Sequence, residues 1–275
     1  MPSIDRVRIL SHDGTERMDS LAVEEPLEIR LRAGGSGPAE AFVTTMRTPG
    51  HDDDLAAGLL FAEGILVERG DLLDLARPSD PRIDPELKEN VVVASLSDAA
   101  FARSSVLKRR TVMGSACGVC GTVLIEDLRR DLAVLRPGPA MNPALLPRLV
   151  DRLREGQGVF DRTGGLHAAG LFTPGGDLIY LREDIGRHNA VDKVVGRALL
   201  DGRLPFSDAI LVVSGRAGYE IVQKSISAGI GVLAAVGAPS SLAVALAREF
   251  NQTLVGFLKG DRFNVYSAPE RLSPN

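Results

Sequence analysis

The chain has 275 residues, 44% of them hydrophobic and only 4% aromatic, so it can bury a sizeable core that consists mainly of aliphatic side chains. Its formal net charge of −4 argues against general binding to nucleic acid or to an anionic membrane surface. The first ten residues lack the apolar stretch of a secretory signal and no apolar run reaches the roughly 18 residues of a membrane span, so we expect a cytoplasmic protein.

The first ninety residues, 1–90, are predicted to form a smaller α+β portion. Three aspartates at residues 52–54 precede an apolar helical stretch, and we interpret them as helix-capping and dipole-stabilising residues rather than as a metal site. Residues 71–90 are charged and contain three prolines, which is typical of a linker or an exposed excursion and places a soft domain boundary at residue 90. The elements predicted in this portion are strands over residues 27–32 and 42–46 and a helix over residues 55–63.

Residues 91–275 are predicted to form an α/β core domain. Alternating strands and helices imply parallel strand pairs with right-handed crossovers and helices that cover the sheet. A β-hairpin is predicted over residues 167–182, because two apolar runs flank the turn-forming sequence Thr-Pro-Gly-Gly-Asp. The other predicted elements are strands that begin at residues 91, 209, 231 and 253 and helices over residues 142–156, 189–200, 219–228 and 240–250.

The two cysteines of the chain, Cys117 and Cys120, lie in a glycine-rich stretch, Gly-Ser-Ala-Cys-Gly-Val-Cys-Gly, which predicts an open loop around two thiols. Basic residues at 108–110 would favour the thiolate if they also lie close in space. Such a thiolate can attack an incoming persulfide and hold the sulfur as Cys-S-SH. The spacing alone leaves four interpretations open: a dithiol redox centre, half of a zinc site, a sulfur carrier, or two ordinary small residues in a turn.

Two of these interpretations find little support. A thioredoxin-like motif belongs near an early strand of a much smaller domain. Zinc requires about four ligands, but the sequence has no second CxxC, and the other candidate ligands, His167 and His188, are distant in sequence. The zinc signature of nucleobase deaminases, His-x-Glu with Pro-Cys-x-x-Cys, is not intact, because Ala169 stands at the glutamate position and Ala116 precedes Cys117. We therefore predict no metal site.

A second polar cluster occupies residues 182–193 at the start of a predicted helix. Helix amino termini attract anions, so Arg187, His188 and Lys193 could bind a phosphate or a pterin-like ligand, although a solvated helix face explains them equally well. The segments 164–167 and 214–218 hold similar concentrations of glycine and polar residues, and the second is a candidate phosphate-facing loop.

Four motifs, in this order along the chain, resemble the FdhD family of formate dehydrogenase accessory sulfurtransferases. The likeness runs from about Pro26 to Tyr266, and four separated motifs are much more specific than a CxxC alone. The motifs are Cys117-Gly118-Val119-Cys120-Gly121, Thr163-Gly164-Gly165-Leu166-His167, the run from Arg182 to Lys193, and Ser214-Gly215-Arg216.

The resemblance implies a homodimer with a three-layer α-β-α, cytidine-deaminase-like core. It also implies a sulfur carrier that accepts sulfur from a cysteine desulfurase and donates it to the molybdenum cofactor, bis-molybdopterin guanine dinucleotide, before insertion into formate dehydrogenase. Cys117 matches the family's persulfide-bearing cysteine, and Cys120 matches the second cysteine, which relays sulfur or resolves the persulfide.

The resemblance further implies a cofactor-binding segment near the carboxyl terminus. There Asp261 could accept hydrogen bonds from guanine, and Lys259 and Arg262 could face phosphate, whereas the residues alone favour an edge strand and a turn. Equivalent segments on two subunits would then hold the two guanine nucleotides. A rival function is a cofactor-holding chaperone with structural or zinc-bound cysteines. The predicted cofactor-binding residues are Phe257, Leu258, Lys259, Gly260, Asp261 and Arg262, with weaker candidates at His167, Arg187, His188 and Lys193.

Overall fold

A computed structural model describes residues 1–78, 84–110, 132–138 and 140–273 of the chain. Within these ranges no helix combines the length and hydrophobicity of a membrane-spanning segment. The elements of the first part are β1 (Ile4–Leu10), β2 (Glu16–Ala22), β3 (Glu25–Ala33), β4 (Glu40–Arg47), α1 (Asp52–Ala62), β5 (Leu72–Ala76), α2 (Pro85–Lys88), β6 (Val91–Leu96) and α3 (Asp98–Arg110).

The second part contains α4 (Leu146–Glu155), α5 (Gly158–Thr163), β7 (His167–Phe172), β8 (Leu178–Asp184), α6 (Arg187–Leu200), β9 (Ile210–Val213), α7 (Tyr219–Ser227), β10 (Val232–Ala235), α8 (Ser241–Glu249), β11 (Thr253–Lys259) and β12 (Arg262–Ser267). Short 3-10 turns lie at Arg69–Asp71, Pro143–Leu145 and Pro269–Arg271. The strands and helices predicted in this part are present in the predicted order, with element ends shifted by a few residues, whereas α5 and β12 were not predicted.

The first part of the chain forms a β1–β2 hairpin and a four-stranded sheet with the order β4-β3-β6-β5. Alternation along β3 is as predicted, because Leu27, Ile29 and Leu31 are buried against α1. β6 begins just after the predicted boundary at residue 90, yet it pairs in parallel with β3 and antiparallel with β5. The boundary itself stays a prediction.

The interpretation of residues 71–90 as a linker is wrong in part, since β5 and α2 lie within it. β5 is the edge strand of its sheet, and Leu72 is its one fully buried residue. A strand that buries so little shows no clear alternation, and the charged residues around it resemble a loop.

The second part of the chain forms a six-stranded sheet with the order β12-β11-β10-β9-β7-β8. β9, β10 and β11 are parallel, as the alternating pattern predicts, and β7 and β12 are antiparallel to their neighbours. One face packs on α6, α7 and α8, and the other face packs on α4. The predicted α/β class is confirmed, while the likeness to cytidine deaminases stays a prediction.

Helices α1 and α6 join the two sheets by packing against each other at backbone contact. A β-carbon added to Gly58 would overlap the backbone oxygen of Asp192, and one added to Gly196 would overlap the backbone oxygen of Asp54. Glycine is required where two backbones approach so closely. The two glycines therefore set the distance between the four-stranded and the six-stranded sheet.

Replacement of Gly58 or Gly196 by alanine should destabilise the fold by about 3 kcal/mol, because the added methyl group must push the helices apart. Urea unfolding followed by circular dichroism measures the change. The matched control is Gly158→Ala in α5, where a β-carbon meets nothing within 4 Å, and where we expect a change of no more than about 0.5 kcal/mol. Equal stability of all three variants would contradict a backbone crossing at these glycines.

Candidate functional site

Four strands of the six-stranded sheet end at the same edge. β8, β9, β10 and β11 run in one direction, and the antiparallel β7 begins at that edge. Ligands of open α/β sheets bind at the carboxyl ends of the strands. Three groups of predicted site residues meet there: His167 at the start of β7, Arg187 and His188 after β8, and residues 257–262 at the end of β11.

The predicted sulfur-carrying residues, Cys117 and Cys120, fall in the segment 111–131, outside the described residues. Their roles stay predictions that rest on the sequence.

The loops along this edge are bonded to one another. Ser214 Oγ accepts a hydrogen bond from the backbone N–H of Ala168 at 2.9 Å. The N–H of Gly237 donates to the carbonyl of Gly215 at 2.9 Å, and the N–H of Phe257 donates to the carbonyl of Gly237 at 3.1 Å. The ends of β9, β10 and β11 therefore form one continuous surface.

An open cleft of about 630 Å³ lies at the β11–β12 end of this surface. Four of the six residues predicted in the segment 257–262 line this cleft. The other two do not: Leu258 is only 1% exposed and packs into the core, and Gly260 forms the turn between β11 and β12 with a φ of +55°. The sequence-based prediction missed three lining residues, of which two follow the predicted segment directly and one is distant in sequence. The lining residues are Val236, Phe257, Lys259, Asp261, Arg262, Phe263 and Asn264.

Phe257 has an unusual backbone conformation for a bulky residue. Its φ is +54°, in the left-handed region, and 51% of its surface is exposed at the cleft. A non-glycine residue in this region carries a cost on the order of 1 kcal/mol or more, and such residues cluster at functional sites. Phe257 is therefore the strained, exposed aromatic group of the cleft.

His167, Arg187 and Gly215 form a second group on the same edge. A β-carbon on Gly215 would lie 3.4 Å from His167 Nδ1 and 3.7 Å from Arg187 Cβ, so glycine lets the loop after β9 approach both side chains. Arg187 Nε is buried and has no hydrogen-bond partner among the described residues. Burial and the nearby Arg187 guanidinium lower the pKa of His167.

His188 lies beside this group and is held neutral. Burial and the positive charges of Arg187 and Lys224 lower its pKa from 6.5 to about 4. Its Nε2 atom is 3.4 Å from Oε2 of Glu220 on α7. His188 at neutral pH is therefore an uncharged imidazole between α6 and α7.

Lys193, the last of the weaker candidates, is buried in an ion pair with Asp184. The two side chains are 1% and 0% exposed, and Lys193 Nζ lies 2.7 Å from Asp184 Oδ2. Nζ also donates to the carbonyls of Thr48 at 3.0 Å and Glu183 at 3.3 Å, so a ligand would have to displace one of these three acceptors. In this arrangement Lys193 positions the end of β8 instead of facing the cleft.

The β4–α1 loop completes this buried network, and the sequence-based prediction missed it. Thr48 donates its N–H to Asp184 Oδ2 at 3.3 Å, and its Oγ1 accepts from the N–H of Ile185 at 3.2 Å. Asn189 Nδ2 donates to the carbonyl of Met46 at 2.7 Å and to Asp184 Oδ1 at 2.9 Å. Three of these four contacts join residues more than 130 positions apart, which no local pattern can indicate.

The interpretation of residues 52–54 as helix caps is wrong for all three aspartates, whereas their position in the first turn of α1, where they can stabilise the helix dipole, is as predicted. The N-cap of α1 is His51, which makes no side-chain cap bond. Asp52 is buried with Arg47 at 2.9 Å, and Asp54 is buried with Arg182 at 2.8 Å. These aspartates lie in the first turn and serve chiefly as ion-pair partners between elements.

The depressed pKa of His188 predicts a loss of stability in acid. In the unfolded chain His188 binds a proton near pH 6.5, and in the folded chain only near pH 4. The neutral ring therefore contributes its full share to the free energy of unfolding above pH 6.5, and this share is lost as the pH falls towards 4. We expect the free energy of unfolding to fall by about 2 kcal/mol over this range, after allowance for the part-exposed ring.

Urea unfolding at pH 7 and pH 4.5 compares the wild type with His188→Gln, which should lose less stability between these pH values. His12→Gln, in the exposed β1–β2 turn, is the control. Identical pH dependence of all three proteins would contradict a depressed pKa at His188.

Comparison with known proteins bears on the identity of the chain. A model described as the FdhD/NarQ family matches residues 22–273. The curated relatives include the "Sulfur carrier protein FdhD" of Streptomyces coelicolor, 47% identical over 270 residues that cover 97% of this chain and 94% of that protein. The protein of the same name from Saccharolobus solfataricus is 40% identical over 268 residues that cover 98% and 96% of the two chains.

A crystal structure from Desulfotalea psychrophila, assigned as a formate dehydrogenase accessory protein, has a similar fold. Its TM-score is 0.71 at 24% sequence identity, over 98% of both chains. The resemblance drawn from the four motifs is thus confirmed by a family match over most of the chain and by relatives of nearly equal length. The chain belongs to the FdhD/NarQ family.

Proposed function

We propose that this protein is a cytoplasmic sulfur carrier that serves the maturation of formate dehydrogenase. It accepts sulfur from a cysteine desulfurase on Cys117 and transfers it to bis-molybdopterin guanine dinucleotide before that cofactor enters formate dehydrogenase. The observation that carries the proposal is the 47% identity, over nearly the full length, to relatives named as sulfur carrier proteins. The glycine-rich Cys117-Gly-Val-Cys120 sequence supplies the residues for the chemistry.

The loading step is a thiol exchange. The Cys117 thiolate attacks the terminal sulfur of the desulfurase persulfide, a new S–S bond forms, and the desulfurase cysteine leaves as a thiolate. The product is Cys117-S-SH, and the step involves no net oxidation. The protein is in this sense a sulfurtransferase whose intermediate is a persulfide.

In the release step, Cys120 acts as the resolving thiol. Its thiolate attacks the inner sulfur of the Cys117 persulfide, hydrosulfide leaves, and a Cys117–Cys120 disulfide forms. The transferred sulfur gains two electrons, which the two cysteines supply, and a thiol reductant restores the dithiol. Direct transfer of the terminal sulfur, with Cys120 as a relay, is the alternative role.

The cleft is the region of the described chain that best fits the guanine nucleotide part of the substrate. Its exposed cations Lys259 and Arg262 suit phosphate, Asp261 suits the donor edge of guanine, and the Phe257 ring offers a flat apolar face. In the proposed homodimer two such clefts would serve the two guanosines of the substrate.

Mass spectrometry of the intact protein tests the carrier function. After incubation with a cysteine desulfurase and cysteine, the wild type should gain the mass of one sulfur atom, reductant should remove it, and Cys117→Ala should gain none. Cys120→Ala should keep the added sulfur longer, because the resolving thiol is absent. An equal gain of sulfur by Cys117→Ala would contradict the assignment of Cys117 as the sulfur-carrying residue. If neither the wild type nor the variants gained sulfur, the cofactor-holding chaperone would be favoured.

Replacement of Phe257 by glycine tests the cleft separately. The left-handed strain is relieved, which offsets the lost ring contacts, so the free energy of unfolding should change by less than about 1 kcal/mol. Affinity for guanosine diphosphate should fall about tenfold, because stacking on an aromatic ring contributes about 1–3 kcal/mol per base.

Titration calorimetry and urea unfolding provide the two measurements. The control is Leu178→Ala, another half-exposed apolar residue, at the start of β8 on the opposite edge of the sheet. If Phe257→Gly bound guanosine diphosphate with unchanged affinity, the guanine base would not stack on Phe257, and the proposed position of the base in the cleft would be wrong.

A further inference from the structure

Arg271 is a buried arginine at the edge of the six-stranded sheet where β9, β10 and β11 begin, away from the cleft. It belongs to the turn Pro269–Arg271 and is only 2% exposed. Its Nη1 donates to the carbonyl of Asn251 at 2.6 Å, and its Nη2 donates to the carbonyl of Arg136 at 2.8 Å. Its Nε is buried and has no hydrogen-bond partner among the described residues. Because a buried donor without a partner destabilises the fold, Nε calls for an acceptor beside it.

A small cavity lies beside this nitrogen, and the loops that precede β9 and β10 contribute to its lining. The lining residues include Gly138, Ser207, Gly231 and Arg271. A β-carbon on Gly231 would be 3.3 Å from both Arg271 Nε and the Ser207 carbonyl oxygen, and one on Gly138 would be 3.0 Å from the same oxygen. The two glycines therefore leave a space that lies within reach of one donor and one acceptor.

The size and the polar groups of this cavity fit one water molecule. The Ser207 carbonyl, its acceptor, receives no hydrogen bond from the backbone N–H groups of the described ranges. The cavity measures about 10 Å³, which is close to the smallest space that holds a water molecule. Water satisfies both groups at once, because its oxygen accepts from Nε while one of its hydrogens donates to the carbonyl oxygen.

The charges around the cavity favour a neutral ligand over an anion. Helices α7 and α8 end at this edge, and their carboxyl termini carry partial negative charges that compensate the guanidinium group of Arg271. The carbonyl of Asn251, which accepts from Arg271, lies directly after α8. An anion in the cavity would also meet the Ser207 carbonyl oxygen and Asp208, which is a further lining residue.

We propose that this cavity is a binding site for one ordered water molecule, which accepts a hydrogen bond from Arg271 Nε and donates one to the carbonyl of Ser207. The water joins the carboxyl-terminal turn to the loop before β9. It completes the bonding of a guanidinium group that already holds residues 136 and 251, so four separate segments of the chain are fastened where the parallel strands begin. The site lies at the edge away from the cleft and is independent of the function proposed above.

A high-resolution crystal structure of the full-length protein tests the site directly. We expect one water oxygen at about 2.7–3.2 Å from both Arg271 Nε and the Ser207 carbonyl oxygen. Crystals grown with bromide as the only halide should show no anomalous peak in the cavity. A cavity without density would overturn the inference, and so would an anomalous peak, because the ligand would then be an anion.

Replacement of Gly231 by alanine tests the site in solution, because the added methyl group takes the place of the water. The melting temperature, measured by scanning calorimetry, should fall by about 5 °C, since Arg271 Nε and the Ser207 carbonyl both lose their bond. The matched control is Gly158→Ala, where a β-carbon meets nothing within 4 Å, and where we expect a change of less than about 1 °C. If Gly231→Ala melted at the temperature of the wild type or above it, no water would bridge these groups.

Discussion

The contact between α1 and α6 is the constraint on which the rest of the molecule depends. At Gly58 and Gly196 the two helices meet without side chains between them, which brings the β4–α1 loop within hydrogen-bond distance of the end of β8. Only at that distance can Lys193 reach both the Thr48 carbonyl and Asp184. A packing contact between helices thus determines the polar bonding at the site edge.

The buried Lys193–Asp184 pair is stable because its charges are solvated by the protein itself. Two carbonyls accept from the ammonium group, and three N–H groups donate to the carboxylate, so the desolvation cost is offset by complete bonding. A fully bonded network of this kind is rigid. It holds the first turn of α6, and with it Arg187 and His188, in a fixed position relative to the cleft.

Sequence reasoning succeeded where the signal is local. The strands and helices that were predicted after residue 142 follow from apolar periodicity and turn residues, which gave no indication of α5 or β12. The assignment of the segment 257–262 rests on the family resemblance instead; four of its residues line a cleft, and its role in cofactor binding stays a prediction. Sequence reasoning failed where tertiary contacts decide: the edge strand β5 buries too little to alternate, and Lys193 resembles a surface cation until the loop around Thr48 covers it. The same holds for Leu258, whose burial depends on α4 and the far face of the sheet.

The two partners of the helix crossing are far apart in the chain, and this matters during synthesis. The four-stranded sheet and α1 are complete once Leu96 has left the ribosome, whereas α6 begins only at Arg187. Until then the face of α1 around Gly58 has no cover, and the carbonyl of Thr48 lacks its ammonium partner. The nascent chain therefore carries an incomplete interface through the translation of much of its length, and it is during this interval that a folding chaperone or a neighbouring nascent chain could bind it.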